Sequence, residues 1–130
     1  MDVIIIEDDP STGEIYQRAL EKRNYETHLL AHGEDAVSYF ENKDNVLPTV
    51  VVLDINLPGY SGIYILRLLR EKLNLIDLKI IVSSANLLAK NAPEMKLADA
   101  FLSKPCSPRK LAVMVASMME LDSPSPQPAD

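Results

Sequence analysis

Four short apolar runs punctuate the chain: Val3 to Ile6, Val50 to Leu53, Ile80 to Val82 and Ala100 to Leu102. They are continuous rather than alternating and rich in β-branched residues, as strands buried on both faces of a parallel sheet are. A weaker fifth run, Thr27 to Ala31, mixes polar and apolar residues and suits an edge strand. Helical spacing fills the gaps. Asp9-Pro10 is a helix start, with a side-chain acceptor at the cap and proline at the first helical position. Ile15, Ala19 and Leu20 then mark one face down to about Arg23. Ala36, Val37 and Phe40 mark a short second helix; Ile63, Leu66, Leu69 and Leu73 mark a third. Leu111, Val115 and Met118 mark the last, over 108–119. Between Asn86 and Ala98, Pro93 interrupts what should be a fourth helix.

Strands alternating with helices predict an α/β fold: right-handed crossovers and a doubly wound, five-stranded parallel sheet with helices on both faces. Pattern alone leaves the strand order open; the common flavodoxin-like order 2-1-3-4-5 is the expectation. A length of 130 residues fits one domain. The domain is expected over residues 1–121. A Ser/Pro-rich disordered tail or linker stub is expected over 122–130, where three prolines stand among almost no apolar residue.

Charge narrows the function. Lys plus Arg is 13 and Asp plus Glu is 19, a net charge of −6. That argues against direct nucleic-acid binding or an anionic membrane surface, both of which need a basic face. The single cysteine, Cys106, excludes an internal disulfide and a multi-cysteine metal site. No basic stretch precedes the first apolar run, and no segment approaches the ~18 apolar residues of a membrane helix. A soluble, cytoplasmic protein is the expectation. No glycine-rich loop supports nucleotide binding.

In an open α/β sheet, ligands bind beyond the carboxyl ends of the strands. Glu7-Asp8-Asp9 follows the first run, Asp54 the third, Ser83-Ser84 the fourth and Lys104 the fifth. With strands one and three adjacent, Glu7, Asp8 and Asp54 form one cluster of carboxylates, unfavourable unless protons or a cation offset the repulsion. All-oxygen ligands without histidine favour a hard ion, Mg2+ or Mn2+. With the Lys104 ammonium and the Ser84 hydroxyl, such a cluster suits a phosphoryl group on one carboxylate. Each residue also has a plainer reading: a helix cap for Asp9, turn chemistry for Asp54, a solvated surface lysine for Lys104. All of them falling at one sheet edge is what favours the joint reading.

The chain resembles a receiver domain of the response regulator family of two-component, phosphorelay signal transduction, from Val3 to about Met119. Ile4-Ile5-Ile6-Glu7-Asp8-Asp9 resembles the family's first strand and acidic pair. Val51 to Gly62, with Asp54-Ile55-Asn56-Leu57-Pro58-Gly59, resembles its phosphoacceptor strand and loop. Ser84-Ala85 resembles the Thr/Ser-Ala step thirty residues on, and Phe101-Leu102-Ser103-Lys104-Pro105 the aromatic and Lys-Pro ending. The resemblance implies that Asp54 is the phosphoacceptor and that Asp8 binds Mg2+ directly, with Glu7 acting through water and Asn56 through its backbone carbonyl. It implies that Ser84 and Lys104 hold phosphoryl oxygens, that Lys104-Pro105 is cis, and that Phe101 changes rotamer with Ser84 on activation. The implied partners are a sensor histidine kinase or histidine phosphotransfer protein and a downstream effector domain or protein; a dimer on phosphorylation is compatible. Catalysis would be limited to self-phosphorylation and slow self-dephosphorylation.

The stretch from Ser84 to Lys104 is about two residues shorter than the family's usual spacing, Pro93 lies inside it, and Leu97 stands where glycine commonly precedes Ala-Asp. A short or distorted fourth helix is therefore expected. Ser83 competes with Ser84 as the hydroxyl donor. Cys106 reads as a small half-buried apolar residue, and His28 and His32 as surface residues. Two rival functions remain: a Mg2+-dependent phosphatase with an aspartyl-phosphate intermediate, disfavoured because Asn56 stands where a second Asp is general, and a non-phosphorylated receiver used as an interaction module.

Overall fold

The computed structural model describes residues 1–122. Five parallel strands, β1 (Val3–Ile6), β2 (Thr27–Leu30), β3 (Val50–Asp54), β4 (Lys79–Ser84) and β5 (Ala100–Ser103), form one sheet in the order β2-β1-β3-β4-β5. The expected order is the observed one. β1 and β3 are buried at every position, which is why their apolar runs are unbroken, whereas the edge strand β2 is only partly buried.

The pleat divides the core. Ile4, Ile6, Val51, Leu53, Ile80 and Val82 face α2 (Gly33–Glu41) and α3 (Gly62–Arg67), packing with Ala36, Val37, Phe40, Ile65 and Leu66. Val3, Ile5, Val50, Val52, Ile81 and Leu102 face α1 (Pro10–Glu21) and α4 (Pro108–Asp122). Asp9 caps α1, accepting from the Thr12 N–H at 3.1 Å, with Pro10 at the first turn as the sequence predicts. The buried stripe of α1 differs from the predicted one. It is Gly13, Tyr16 and Leu20, while Ile15 is 49% exposed. The spacing i, i+3, i+7 selects that stripe, and Gly13 lets the helix close onto Leu29.

Two segments depart from regular helix. α3 continues into a single π turn, Leu68–Lys72, closed by Leu73 N–H to the Leu68 carbonyl at 2.8 Å. The turn keeps both Leu68 and Leu69 in the core. From it the Arg70 guanidinium reaches the carbonyls of Leu97 (2.8 Å) and Leu75 (2.6 Å) and the Asp99 carboxylate (2.8 Å). Asp99 also accepts from the Ile80 N–H at 2.8 Å, tying the start of β5 to β4. Between β4 and β5 stand two 3-10 turns, Leu87–Asn91 and Pro93–Leu97, instead of one helix. Ala92 is extended (φ −63°, ψ 141°), the conformation that a following proline imposes, so a helix could not run through. Helix α4 extends through Asp122; the expected tail, apart from Asp122 itself, lies outside the described residues. No helix among the described residues is long and apolar enough to cross a membrane.

Candidate functional site

The carboxyl ends of β1, β3, β4 and β5 converge on one patch. Glu7 follows β1 and is 3% exposed; Asp54 ends β3 and is 5% exposed. With the more accessible Asp8 they place carboxylate oxygens within 4.8 Å of one another. Three carboxylates at that spacing, without a histidine or thiolate, are a donor set for a hard divalent cation.

Lys104 is the counter-charge already in place. Its backbone N–H donates to the Ser84 carbonyl at 2.9 Å, continuing the β4–β5 pairing one step, and its peptide to Pro105 is cis as expected. The side chain crosses the end of β4 and donates to Glu7 Oε1 at 2.6 Å and Asp54 Oδ2 at 3.2 Å. Burial pushes the Glu7 carboxyl up to about 7; the neighbouring Asp54 adds to this and Lys104 opposes it. Burial alone would push the Lys104 ammonium down, but the Glu7 and Asp54 carboxylates outweigh it and hold it above its usual range. One ammonium thus stands among three acidic groups, and the patch favours a cation.

The loop after β3 fixes Asp54. The Asn56 N–H donates to Asp54 Oδ1 at 3.0 Å, and Gly62 N–H to the Ile55 carbonyl at 2.9 Å. A Cβ at Gly62 would overlap the Asp54 carbonyl oxygen, so only glycine lets α3 start against the strand end. Gly59 takes φ +76°, the left-handed turn that Pro58-Gly59 foretells. Ser61 caps α3 through the Tyr64 N–H at 3.2 Å.

Ser84 is fully buried, and its Oγ accepts from the Asn86 N–H at 3.0 Å. Ser83 is also buried, on the opposite face of the strand. Phe101 is half-buried, on the core face shared with α2 and α3. Asp9 serves as the α1 cap, and its N–H also reaches Glu7 Oε2 at 3.3 Å. Cys106 is half-buried, its thiol pushed up by burial. His28 and His32 are exposed and outside the carboxylate group. Sequence reading missed Tyr16, which lines a cavity of about 390 Å³ with Thr12, Ala85, Lys104 and Cys106 beside the patch. The spacing of Gly13, Tyr16 and Leu20 was its available signal.

Residues 3–116 match the family model of the response regulator receiver domain. The transcriptional regulatory protein TrcR of Mycobacterium tuberculosis is 27% identical over 128 residues, 98% of this chain and 49% of that protein. BaeR of Escherichia coli, also a transcriptional regulatory protein, is 28% identical over 127 residues, 94% of this chain and 49% of its own. The chain spans about half the length of the curated relatives it matches. A CheY-like receiver domain from Methanospirillum hungatei superimposes with a TM-score of 0.82 at 24% identity, covering 93% of this chain and 94% of that one. The response regulator TrrA of Thermotoga maritima, solved in complex with Mg2+ and beryllium fluoride, gives 0.79 at 26% identity, covering 91% and 99%. With the family match running from the first strand into the last helix, and the same fold in solved receiver domains, the chain belongs to the response regulator receiver family.

Proposed function

We propose that Asp54 accepts a phosphoryl group from a histidine kinase or phosphotransfer protein, and that the product switches the segment after β4. The observation that carries this reading is the Asp54 carboxylate, buried beside Glu7 and Asp8, with the Lys104 ammonium at 3.2 Å. The carboxylates fit Mg2+ or Mn2+: Asp8 and Asp54 would hold it directly, Glu7 through water and Asn56 through its carbonyl. The bound ion would supply charge neutralisation for the transferring oxygens. In the transfer, Asp54 Oδ forms a bond to phosphorus as the phosphorus–nitrogen bond of phosphohistidine breaks, and its electron pair stays on the imidazole. Lys104 is positioned to leave Glu7 and pair with a phosphoryl oxygen. Beyond its own phosphorylation and slow dephosphorylation, no turnover is proposed.

Ser84 keeps its hydroxyl proton while accepting from Asn86, so it can donate to the new phosphoryl oxygens and draw the Ala85–Leu88 backbone with it. A hydrogen bond to a charged acceptor contributes about 1.5–3 kcal/mol, enough to move a two-state equilibrium roughly ten- to a hundred-fold. Phe101 would then fill the vacated space, and the altered face would be read by an effector domain or protein, or by a second copy. The receiver unit is proposed as 1–121, with 122–130 a tail or linker. The cytoplasm, where phosphohistidine donors act, is the proposed location.

Amide shifts recorded with Mg2+ and beryllofluoride, an acyl-phosphate mimic, test this. The parent should respond from Ser84 to Leu88 and at Phe101. Asp54→Asn should not respond, and Ser84→Ala only weakly. A full response in Ser84→Ala would remove Ser84 from the switch.

A further inference from the structure

Ser83 is 2% exposed, and among the described residues its Oγ is the buried side-chain polar atom without a hydrogen-bond partner. A buried hydroxyl without a partner is destabilising, and the three residues of β4 before it, Ile80-Ile81-Val82, are apolar. Its place in the sheet is specific. Ser83 stands in register with Asp54 on β3 and with Leu102 on β5. Side chains in register share a face of a pleated sheet and alternate along each strand. Ser83, two residues after Ile81, therefore lies on the α1–α4 face, as do Asp54 after Val52, Glu7 after Ile5 and Lys104 after Leu102. Ser84 points to the other face and already bonds Asn86. To reach Asp54 and Glu7, the Lys104 side chain crosses the end of β4, and Ser83 is the β4 residue beneath that crossing. The rival partner for Ser83 is the buried Tyr16 of α1, whose hydroxyl lies close enough to feel it, yet Ser83 Oγ makes no hydrogen bond.

We propose that Ser83 is a second hydroxyl donor to the acyl phosphate on Asp54, acting from the α1–α4 face and sharing with Lys104 the phosphoryl oxygen on that side. This rests on Asp54 being the phosphoacceptor. The hydroxyl makes no hydrogen bond in the unphosphorylated protein. Phosphorylation brings acceptors to the strand end where Ser83 and Lys104 stand together. Ser84 and Ser83 then hold the group from opposite faces of the same strand.

The test is beryllofluoride binding to the 130-residue chain in saturating Mg2+, followed by fluorine NMR and titration, on the parent, Ser83→Ala, Ser83→Thr and Tyr16→Phe. Ser83→Ala should keep or raise the parent's melting temperature and keep its Mg2+ affinity, since it removes an unpartnered buried hydroxyl. It should bind beryllofluoride about tenfold more weakly and shift one fluorine resonance. Ser83→Thr should restore both, and Tyr16→Phe should bind as the parent does. Parent-like affinity and unmoved resonances in Ser83→Ala would overturn the proposal while leaving the Asp54 reading intact. Equal weakening by Tyr16→Phe and Ser83→Ala would overturn it too, since Ser83 would then act only as a partner of Tyr16. A parent that binds no beryllofluoride in Mg2+ overturns both readings.

Discussion

Glu7 is a carboxyl group whose charge stays unfavourable even beside the Lys104 ammonium, because burial and Asp54 outweigh it. Its pKa rises from 4.5 to about 7 on folding, so between those values the folded chain holds a proton that the unfolded chain has released. Stability therefore falls as pH rises through that window, by about 1.4 kcal/mol per pH unit. Urea melts in metal-free buffer at about pH 5 and pH 8 should show the protein weaker at the higher pH, and Glu7→Gln should flatten the difference. A parent that is more stable at the higher pH would contradict the placement of Glu7. Mg2+ acts in the opposite sense, because it needs the ionised carboxylates. An ion binding only the folded state at a hundred times its dissociation constant adds about 2.7 kcal/mol. Millimolar Mg2+ should thus raise the melting temperature of the parent, more at the higher pH, and Asp8→Ala should abolish the rise.

At the level of elements, the strands were legible because burial on both faces leaves unbroken apolar runs, as at Val3–Ile6 and Val50–Asp54. The stripe of α1 was misassigned because Ile15 looks more apolar than Tyr16, while packing room is made by Gly13. The irregular β4–β5 connection was half legible: Pro93 announces a break, but two 3-10 turns and the π turn that anchors them depend on Arg70, whose partners lie 27 and 29 residues away. No local pattern carries such a contact. Arg70→Ala removes three hydrogen bonds from a largely buried guanidinium and leaves Asp99 uncompensated, and should cost about 2–4 kcal/mol. Amide exchange should then quicken at Ile80 and Asp99. If stability and exchange both stay at parent values, the clamp does not hold the connection. Leu87 and Leu88, at the near end of that connection, are 66% and 78% exposed, so little side-chain burial opposes a shift of that end with Ser84.

For the whole molecule, the strand order decides the chemistry. Only with β1 beside β3, and β4 between β3 and β5, do Glu7, Asp54 and Lys104 meet, although 97 residues separate Glu7 from Lys104. Periodicity found the strands but not their neighbours; the expected order rests on the arrangement most common for five such strands, and the sheet has it. The pairing of Lys104 with Glu7 and the unpartnered Ser83 hydroxyl emerged only in three dimensions, since both depend on which face each strand-end residue takes. The central claim is that this convergence makes Asp54 the phosphoacceptor. Its most direct test is intact mass after incubation with acetyl phosphate and Mg2+, for the parent and for Asp54→Asn. The account predicts a single alkali-labile phosphate on the parent and none on the variant. Phosphate retained by Asp54→Asn, or a label on the parent that survives alkali, would contradict it.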